Sequence, residues 1–217
     1  MPRKYNTAVT AARAESKTGL DYFPTPPWGT RALLEMPFMK ERLEDETVWE
    51  PAAGGGHMSR VLKEYAGKVI ESDIADYGMG YEIRDFLKTP PRGDVDWVIT
   101  NPPFKLAEEF IVHSLKFARC AMLLRTQFVE GGQRYYNLFS NKPPHRIVVF
   151  SSRLAMTKNR VDPNASSATS YSWFVWESTD TAQQTTVHWF PPDAKPMYTL
   201  AGDYDRDNPV ARQNQLF

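Results

Sequence analysis

The tetrapeptide Asn101-Pro102-Pro103-Phe104 follows the apolar run Trp97-Val98-Ile99 after Thr100, and its residue types suit one piece of chemistry. An aromatic amine is a poor nucleophile because its lone pair is delocalised into the ring. Two acceptors aimed at its two hydrogens favour the pyramidal form in which that pair is free, and the Asn101 side-chain oxygen and the Pro102 carbonyl are such acceptors. The two prolines fix φ and hold the acceptors at a set separation, while Phe104 offers a flat face for a planar ring. A strand ending in this way places the group at the carboxyl edge of a parallel sheet, where α/β folds bind ligands. Such a site works by positioning two reactants and needs neither a metal nor a covalent intermediate.

A second cluster lies earlier, after the short apolar run Thr47-Val48-Trp49. In Glu50-Pro51-Ala52-Ala53-Gly54-Gly55-Gly56 the glycines let the backbone approach a ligand where a Cβ would collide. Ser59 stands where the dinucleotide fingerprint has its third glycine. Asp73 follows the turn by about 20 residues, the distance at which a carboxylate accepts hydrogen bonds from ribose hydroxyls. A nucleoside-containing cofactor is therefore expected. Glu50 would repel a pyrophosphate but can hold a cationic amino group, which favours S-adenosylmethionine over NAD.

The elements that must position these residues are legible as periodicity. Residues 21–28 are too proline-rich for a helix or central strand, and residues 28–43 read as helical apart from Pro37. Residues 47–49 form a strand, 53–56 a turn and 57–65 a helix with Met58, Val61, Leu62 and Tyr65 on one face. Further strands are expected from Lys68 to Asp73, over a very short piece of 81–86, over 95–100 and over 121–125, with a helix at 110–117. Strands alternating with helices imply a parallel sheet covered on both faces. Residues 146–151, 171–177 and 185–190 are strand-like with no helix between them, which predicts an antiparallel addition at one sheet edge. The organisation expected is a basic flexible arm (1–20), one domain (21–190) and a C-terminal tail (191–217), since 217 residues with 41% hydrophobic content support one well-buried core.

Composition narrows the function classes. The formal net charge is zero, but residues 131–161 hold no Asp or Glu while Arg134, Lys142, Arg146, Arg153, Lys158 and Arg160 fall inside, interleaved with Tyr135, Tyr136 and Phe139. That is a candidate polyanion surface. A second basic stretch, Arg3, Lys4, Arg13 and Lys17 against Glu15, precedes the first structured motif. The single cysteine, Cys120, lies in an apolar run and reads as a core residue. The four histidines lack metal-ligand spacing, so no metal is expected. Neither a membrane span nor a signal peptide is legible, which predicts a soluble, intracellular protein.

With these motifs in this order, the chain resembles the S-adenosylmethionine-dependent N6-adenine DNA methyltransferases, especially the small phage and prophage type. The resemblance covers roughly residues 21–177 and follows the gamma arrangement: the aromatic and proline-rich segment, then the glycine loop, then Asn101-Pro102-Pro103-Phe104. It implies a Rossmann-like class I methyltransferase fold, α/β with a mostly parallel seven-stranded sheet and an antiparallel edge. It also implies cofactor contacts from Tyr22, Thr25 and Pro26 closing over the methionine moiety. Glu50, Pro51, Ala52, Gly54 and Gly56 would form the loop beside it, with Asp73 on the ribose and Asp85-Phe86 flanking the adenine. Asn101, Pro102, Pro103 and Phe104 would be catalytic. The segment Phe128-Val129-Glu130-Gly131, with Arg134 and later Arg153, is also similar to the phage-type group, whereas His57 departs from the small or aliphatic residue usual there.

For duplex DNA the adenine must leave the stack to reach Phe104, at a cost that phosphate contacts offset. Arg134 and Tyr135 after Gly131-Gly132, with Arg153, Lys158 and Arg160 in the following connection, are the expected clamp. No separate recognition module is legible, so sequence preference should be short or relaxed. The same tetrapeptide also occurs in RNA adenine and protein glutamine methyltransferases, and a non-catalytic methyltransferase-like binding subunit is a further alternative. Oligomeric state is not legible.

Overall fold

In a computed structural model, which describes residues 22–180 and 184–205, the first described element is a proline-led helix. Helix α1 (Pro27–Leu34) has proline at its first position, where the missing N–H is no loss. The helix expected to run through to residue 43 stops there. Pro37 starts a separate short helix α2 (Pro37–Lys40) and forces Met36 before it into an extended conformation. A 3-10 turn (Leu43–Asp45) then leads into strand β1 (Thr47–Glu50).

Helix α3 (His57–Leu62) follows the glycine turn, and strands β2 (Lys68–Asp73), β3 (Glu82–Ile83) and β4 (Trp97–Thr100) come next. Helix α4 (Ala107–Ser114) returns the chain to β5 (Arg119–Arg125). A one-turn helix α5 (Gly132–Arg134) runs into a π-helical turn (Tyr135–Phe139), and β6 (Arg146–Phe150), β7 (Tyr171–Trp176), β8 (Thr186–Phe190) and helix α6 (Ala194–Tyr198) complete the described chain.

The strands form one eight-stranded sheet in the order β3-β2-β1-β4-β5-β7-β6-β8. This is one strand more than the resemblance implied, because β8 pairs in parallel with the outer side of β6. Within the antiparallel edge, β7 alone runs against its neighbours β5 and β6. Period-two alternation sorts the strand residues onto two covered faces. Val48, Trp97, Ile99, Ala121, Leu123, Trp173 and Val175 point into one core with Trp28, Leu33 and Leu34 of α1 and Met58, Val61 and Leu62 of α3. Trp49, Val98, Cys120, Met122, Leu124, Phe174 and Trp176 point into the other, with Phe110 and Ile111 of α4. Every residue of β4 and of β7 is buried, and apart from Thr100 and Ser172 these strands read as apolar runs. Cys120 is a core thiol whose pKa burial pushes up. Trp173 and Trp176 are likewise core residues, with their indole N–H groups donating to the Gly29 and Lys142 carbonyls.

Two consequences of this order matter for the site. Successive strands β1, β2 and β3 proceed to one side, after which the chain crosses to place β4 on the other side of β1. The crevice between the carboxyl ends of β1 and β4 is therefore a topological switch point. The second consequence concerns the stretch after Pro191, read as a tail, which instead forms α6 and packs on α1. Arg31 of α1 is buried and grips Glu64 with two hydrogen bonds of 2.8 Å. The same guanidinium donates to Asp203 at 3.0 and 3.2 Å and to the Tyr198 carbonyl. The basic arm expected at residues 1–20 lies outside the described residues. No helix among the described residues is long and apolar enough to cross a membrane.

Removing one member of a buried, hydrogen-bonded ion cluster strands the others. Arg31→Ala should lower unfolding free energy by about 3–5 kcal/mol, measured by urea denaturation. Arg31→Ala combined with Asp203→Ala should cost less than the sum of the single changes, and strict additivity would show that the pair is not coupled.

Candidate active site

A cavity of about 820 Å³ opens at the carboxyl edge of the sheet, above the β1–β4 crevice. That volume lies within the roughly 300–1,000 Å³ typical of ligand pockets. Its wall is built from strand ends: Glu50 from β1, Asp73 from β2 and Asn101 after β4. Of the residues expected to bind a cofactor, Tyr22, Thr25, Glu50, Pro51, Ala52, Asp73, Asp85 and Phe86 line it. The whole tetrapeptide from Asn101 to Phe104 lines it too. Pro26 stands outside as the N-cap of α1, and Gly54 and Gly56 shape the turn without facing the cavity.

The glycines set the shape of the turn. Gly54 has φ +52 and Gly56 φ +74, so both occupy the left-handed region that side chains disfavour. Gly54 N–H donates to Asp73 Oδ2 at 2.8 Å, which locks the turn onto β2. What approaches the glycines most closely is the Tyr22 ring, with which a Cβ on Gly54 would collide. Tyr22 Oη accepts from the Gly55 N–H at 2.9 Å and lies 3.3 Å from His57 Nδ1. His57, the departure from the resembled pattern, thus serves as the partner of Tyr22. Tyr77 packs against Tyr22 in a tilted pair at 4.9 Å between ring centroids, and the Tyr81 hydroxyl donates to the Gly54 carbonyl.

The floor of the cavity beneath β1 and β2 is acidic. Glu50 is 2% exposed and is held by the Ser59 hydroxyl. Burial pushes its carboxyl up to about 8, against the Ser59 hydrogen bond and with help from the charges of Glu71 and Asp73. Asp73 accepts from the Gly54 and Ala75 amides, yet burial still raises its pKa. A group bearing positive charge suits this floor, whereas a pyrophosphate does not. Further along, Phe86 packs edge-on against Trp49 at 4.9 Å, and the buried Arg84 lies over the Trp49 indole at 4.6 Å. Asp85 pairs with Lys88, whose hydrogen bond lowers the carboxyl's pKa.

The amide of Asn101 is fixed from one side. Its Nδ2 donates to the Phe23 carbonyl at 2.8 Å and to Thr25 Oγ1 at 3.2 Å, and lies 3.5 Å from Met156 Sδ. A carbonyl can only accept, so the amino end must face Phe23 and the oxygen must face away. That oxygen, Oδ1, is buried and has no hydrogen-bond partner among the described residues. Phe104 sits next to it, with Phe23 at 5.7 Å and Tyr171 at 6.2 Å between centroids.

The expected clamp is only partly gathered. Lys158 reaches the cavity because its turn is tied to the N-terminal segment, Asn159 N–H donating to the Tyr22 carbonyl at 3.0 Å. Arg134 is turned inward: it stacks on Phe128 at 4.0 Å and donates to the Phe128 and Glu130 carbonyls, holding its own loop. Tyr135 is exposed and away from the cavity lining, Arg153 donates to the Ser167 carbonyl, and Arg160 pairs with Asp162. Sequence reasoning missed Tyr77, Arg84 and Met156. Tyr77 lies in an aperiodic stretch, and Arg84 and Met156 carry no motif. Among the described residues, no group of three or more His, Cys, Asp or Glu could hold a metal ion.

No family model matches the chain, and no curated protein does either. Solved structures do match in fold. A Vibrio vulnificus protein described as the modification subunit of a type I restriction enzyme aligns with TM-score 0.58 and 12% identity, over 91% of this chain and 54% of that one. The chain thus spans about half the length of that subunit. A Pyrococcus horikoshii protein described as an RNA methyltransferase aligns with TM-score 0.54 and 17% identity, over 75% of this chain and 90% of that one. Magnesium protoporphyrin IX methyltransferase from Synechocystis, solved with bound S-adenosylmethionine, aligns with TM-score 0.50 and 15% identity, over 69% of this chain and 79% of that one. The fold is the Rossmann-like class I methyltransferase fold.

Because Glu50 holds its proton in the fold up to about pH 8 and loses it near its ordinary value of 4.5 when unfolded, the native state binds the extra proton between those values. Stability contributed here is present at low pH and declines as pH rises towards 8. Melting curves from pH 5 to 9 should show this decline in the wild type and a flatter profile in Glu50→Gln. An unchanged slope in the variant would assign the decline to other groups.

Proposed function

We propose that this protein transfers a methyl group from S-adenosylmethionine to the exocyclic N6 amino group of adenine in DNA, with short or relaxed sequence preference. The observation that carries the reading is the Asn101 amide, whose donor end is consumed by Phe23 and Thr25 and whose buried acceptor has no partner. Leaving such an acceptor unmet costs about 1–3 kcal/mol, and a substrate N–H at that point relieves the cost.

Bound at this site, S-adenosylmethionine supplies an electrophilic methyl group carried on a sulfonium. The residues that would hold it are those of the acidic half of the cavity. Glu50 and the Pro51-Ala52 backbone receive the amino-acid end, and a cationic ammonium there draws the Glu50 carboxyl into its ionised form. Asp73 accepts from ribose hydroxyls. Asp85 and Phe86 flank the adenine, while Tyr22 and Thr25, with Pro26 setting the start of α1, close the methionine side.

On the substrate side, Phe104 stacks the base. Asn101 Oδ1 and the Pro102 carbonyl accept from the amino group and free its lone pair, and Pro103 holds that geometry. Neither acceptor is a base, so the surplus proton passes to solvent after transfer. Lys158 faces the substrate from the cavity rim, whereas Arg153 and Arg160 on the same connection would meet phosphates only by leaving the Ser167 carbonyl and Asp162. Arg134 contributes by shaping the loop before Tyr135 rather than by direct contact.

Methyl transfer from labelled S-adenosylmethionine should be measured in parallel on duplex DNA, single-stranded DNA, RNA and protein extract. Label is expected as N6-methyladenine in DNA. Asn101→Ala should reduce it by about a hundredfold or more, as for other positioned polar groups in active sites, and by releasing Phe23 and Tyr22 it should weaken cofactor binding by a smaller factor. Label confined to RNA or to glutamine would replace the substrate and keep the site. Cofactor binding without transfer to any of the four would favour a non-catalytic subunit.

A further inference from the structure

Next to Phe104 lies a cation that neither the motif nor the clamp accounts for. Arg125 is the last residue of β5 and the first to emerge from the buried run Cys120–Leu124. Its guanidinium carbon is 4.7 Å from the centroid of the Phe104 ring. Across the antiparallel ladder its partner is Tyr171, whose own ring flanks Phe104 at 6.2 Å. The two cross-strand neighbours therefore cup the platform on which a base would stack.

Arg125 also stands apart in how little satisfies it. Arg31 pairs with Glu64 and Asp203, Arg119 with Glu46, and Arg146 with Glu177. Arg125 makes no ion pair among the described residues, and its Nε is buried without a hydrogen-bond partner. A ring face is a weak substitute for a carboxylate, and a partly desolvated guanidinium with an unmet donor is unfavourable on its own.

We propose that Arg125 is the phosphate anchor of the substrate, binding the phosphodiester of the nucleotide whose base stacks on Phe104. The inference rests on the adenine-methylating reading of the cavity and narrows it, because a glutamine side chain or a free nucleobase brings no such anion. The guanidinium supplies the planar fork that suits phosphate oxygens. Arg125 thus selects strand-linked nucleotides and sets the reach of the base into the crevice.

The test is a methylphosphonate walk. Duplex oligonucleotides carrying one neutral linkage at successive positions around the target adenine are methylated by wild type, Arg125→Ala and Arg125→Lys, with kcat and KM separated and cofactor affinity and melting temperature recorded. One linkage should raise the wild-type KM by roughly tenfold or more, the size expected for a lost charge-assisted hydrogen bond. The same linkage should leave Arg125→Ala indifferent, and Arg125→Lys should recover part of the sensitivity. The salt dependence of log KM should also become shallower by about one phosphate contact in Arg125→Ala. Equal interference at that linkage in wild type and Arg125→Ala overturns the anchor and leaves the DNA reading intact. If Arg125→Ala does not fold, the wild-type map decides, and a map with no sensitive linkage overturns the anchor. No methylation of any oligonucleotide by the wild type would remove both this inference and the reading beneath it.

Discussion

The hydrogen bond from Asn101 Nδ2 to the Phe23 carbonyl is the contact on which the rest of the cavity depends. It joins the end of β4 to a proline-rich segment that has no strand or helix of its own to hold it. The same segment is held from a third direction, since Asn159 N–H donates to the Tyr22 carbonyl and Met156 lies against both Thr25 and Asn101. Three stretches distant in sequence thus meet around one amide. Once Phe23 is fixed, Tyr22 falls across Gly54 and Gly55, and the glycine turn acquires its cover. An asparagine serves here because it can donate to a carbonyl with one end and still present an acceptor with the other. Its isosteres leucine and aspartate each lose the donor, and leucine loses the acceptor as well.

The sheet decides where such polar residues can stand. With both faces covered by apolar layers, the residues of β4 and β7 have no solvent-facing side. Polar side chains of the central strands are confined to their ends, and all the parallel strands end on the same edge. The helical cover above that edge is itself anchored through charge. Arg31 joins α1 to Glu64 after α3 and to Asp203 after α6, so the C-terminal stretch is part of the scaffold supporting the cavity wall. Two carboxylates and a carbonyl around one guanidinium offset the cost of burying it.

What could be read from sequence follows the range of the physics involved. The strand ending in Asn101 was legible because four consecutive residues carry their own signal, an apolar run stopped by two prolines. Asp73 was legible because its distance from the glycine turn is set by one strand–turn–helix unit. The eighth strand was visible as an apolar stretch, but its parallel pairing with β6 depends on a partner about 40 residues away. Helix α6 was hidden because its burial comes from α1, at the opposite end of the chain, and its own sequence contains Pro196. The clamp failed in part for a related reason. A cationic stretch shows charge, not direction, and Arg134 spends its donors on two carbonyls of its own loop. Arg125 escaped notice because a single arginine closing an apolar run has no pattern until Phe104 is placed beside it.

Strand order converts these separate residues into a division of labour. Along the sequence β2-β1-β4-β5, the carboxyl ends present Asp73, then Glu50, then Asn101, then Arg125. Acid lies on one side of the crevice, a neutral amide at its centre and a cation on the other side. This order belongs to the strand ends alone, and Arg84, Lys105 and Lys158 add cations to the cavity lining from outside them. A ligand with a positive end is favoured over β1 and β2, and one with a negative end is favoured over β5. Strand order alone therefore fixes where carboxyl, amide and guanidinium groups stand along the crevice, with the unmet oxygen of Asn101 at the switch point between them.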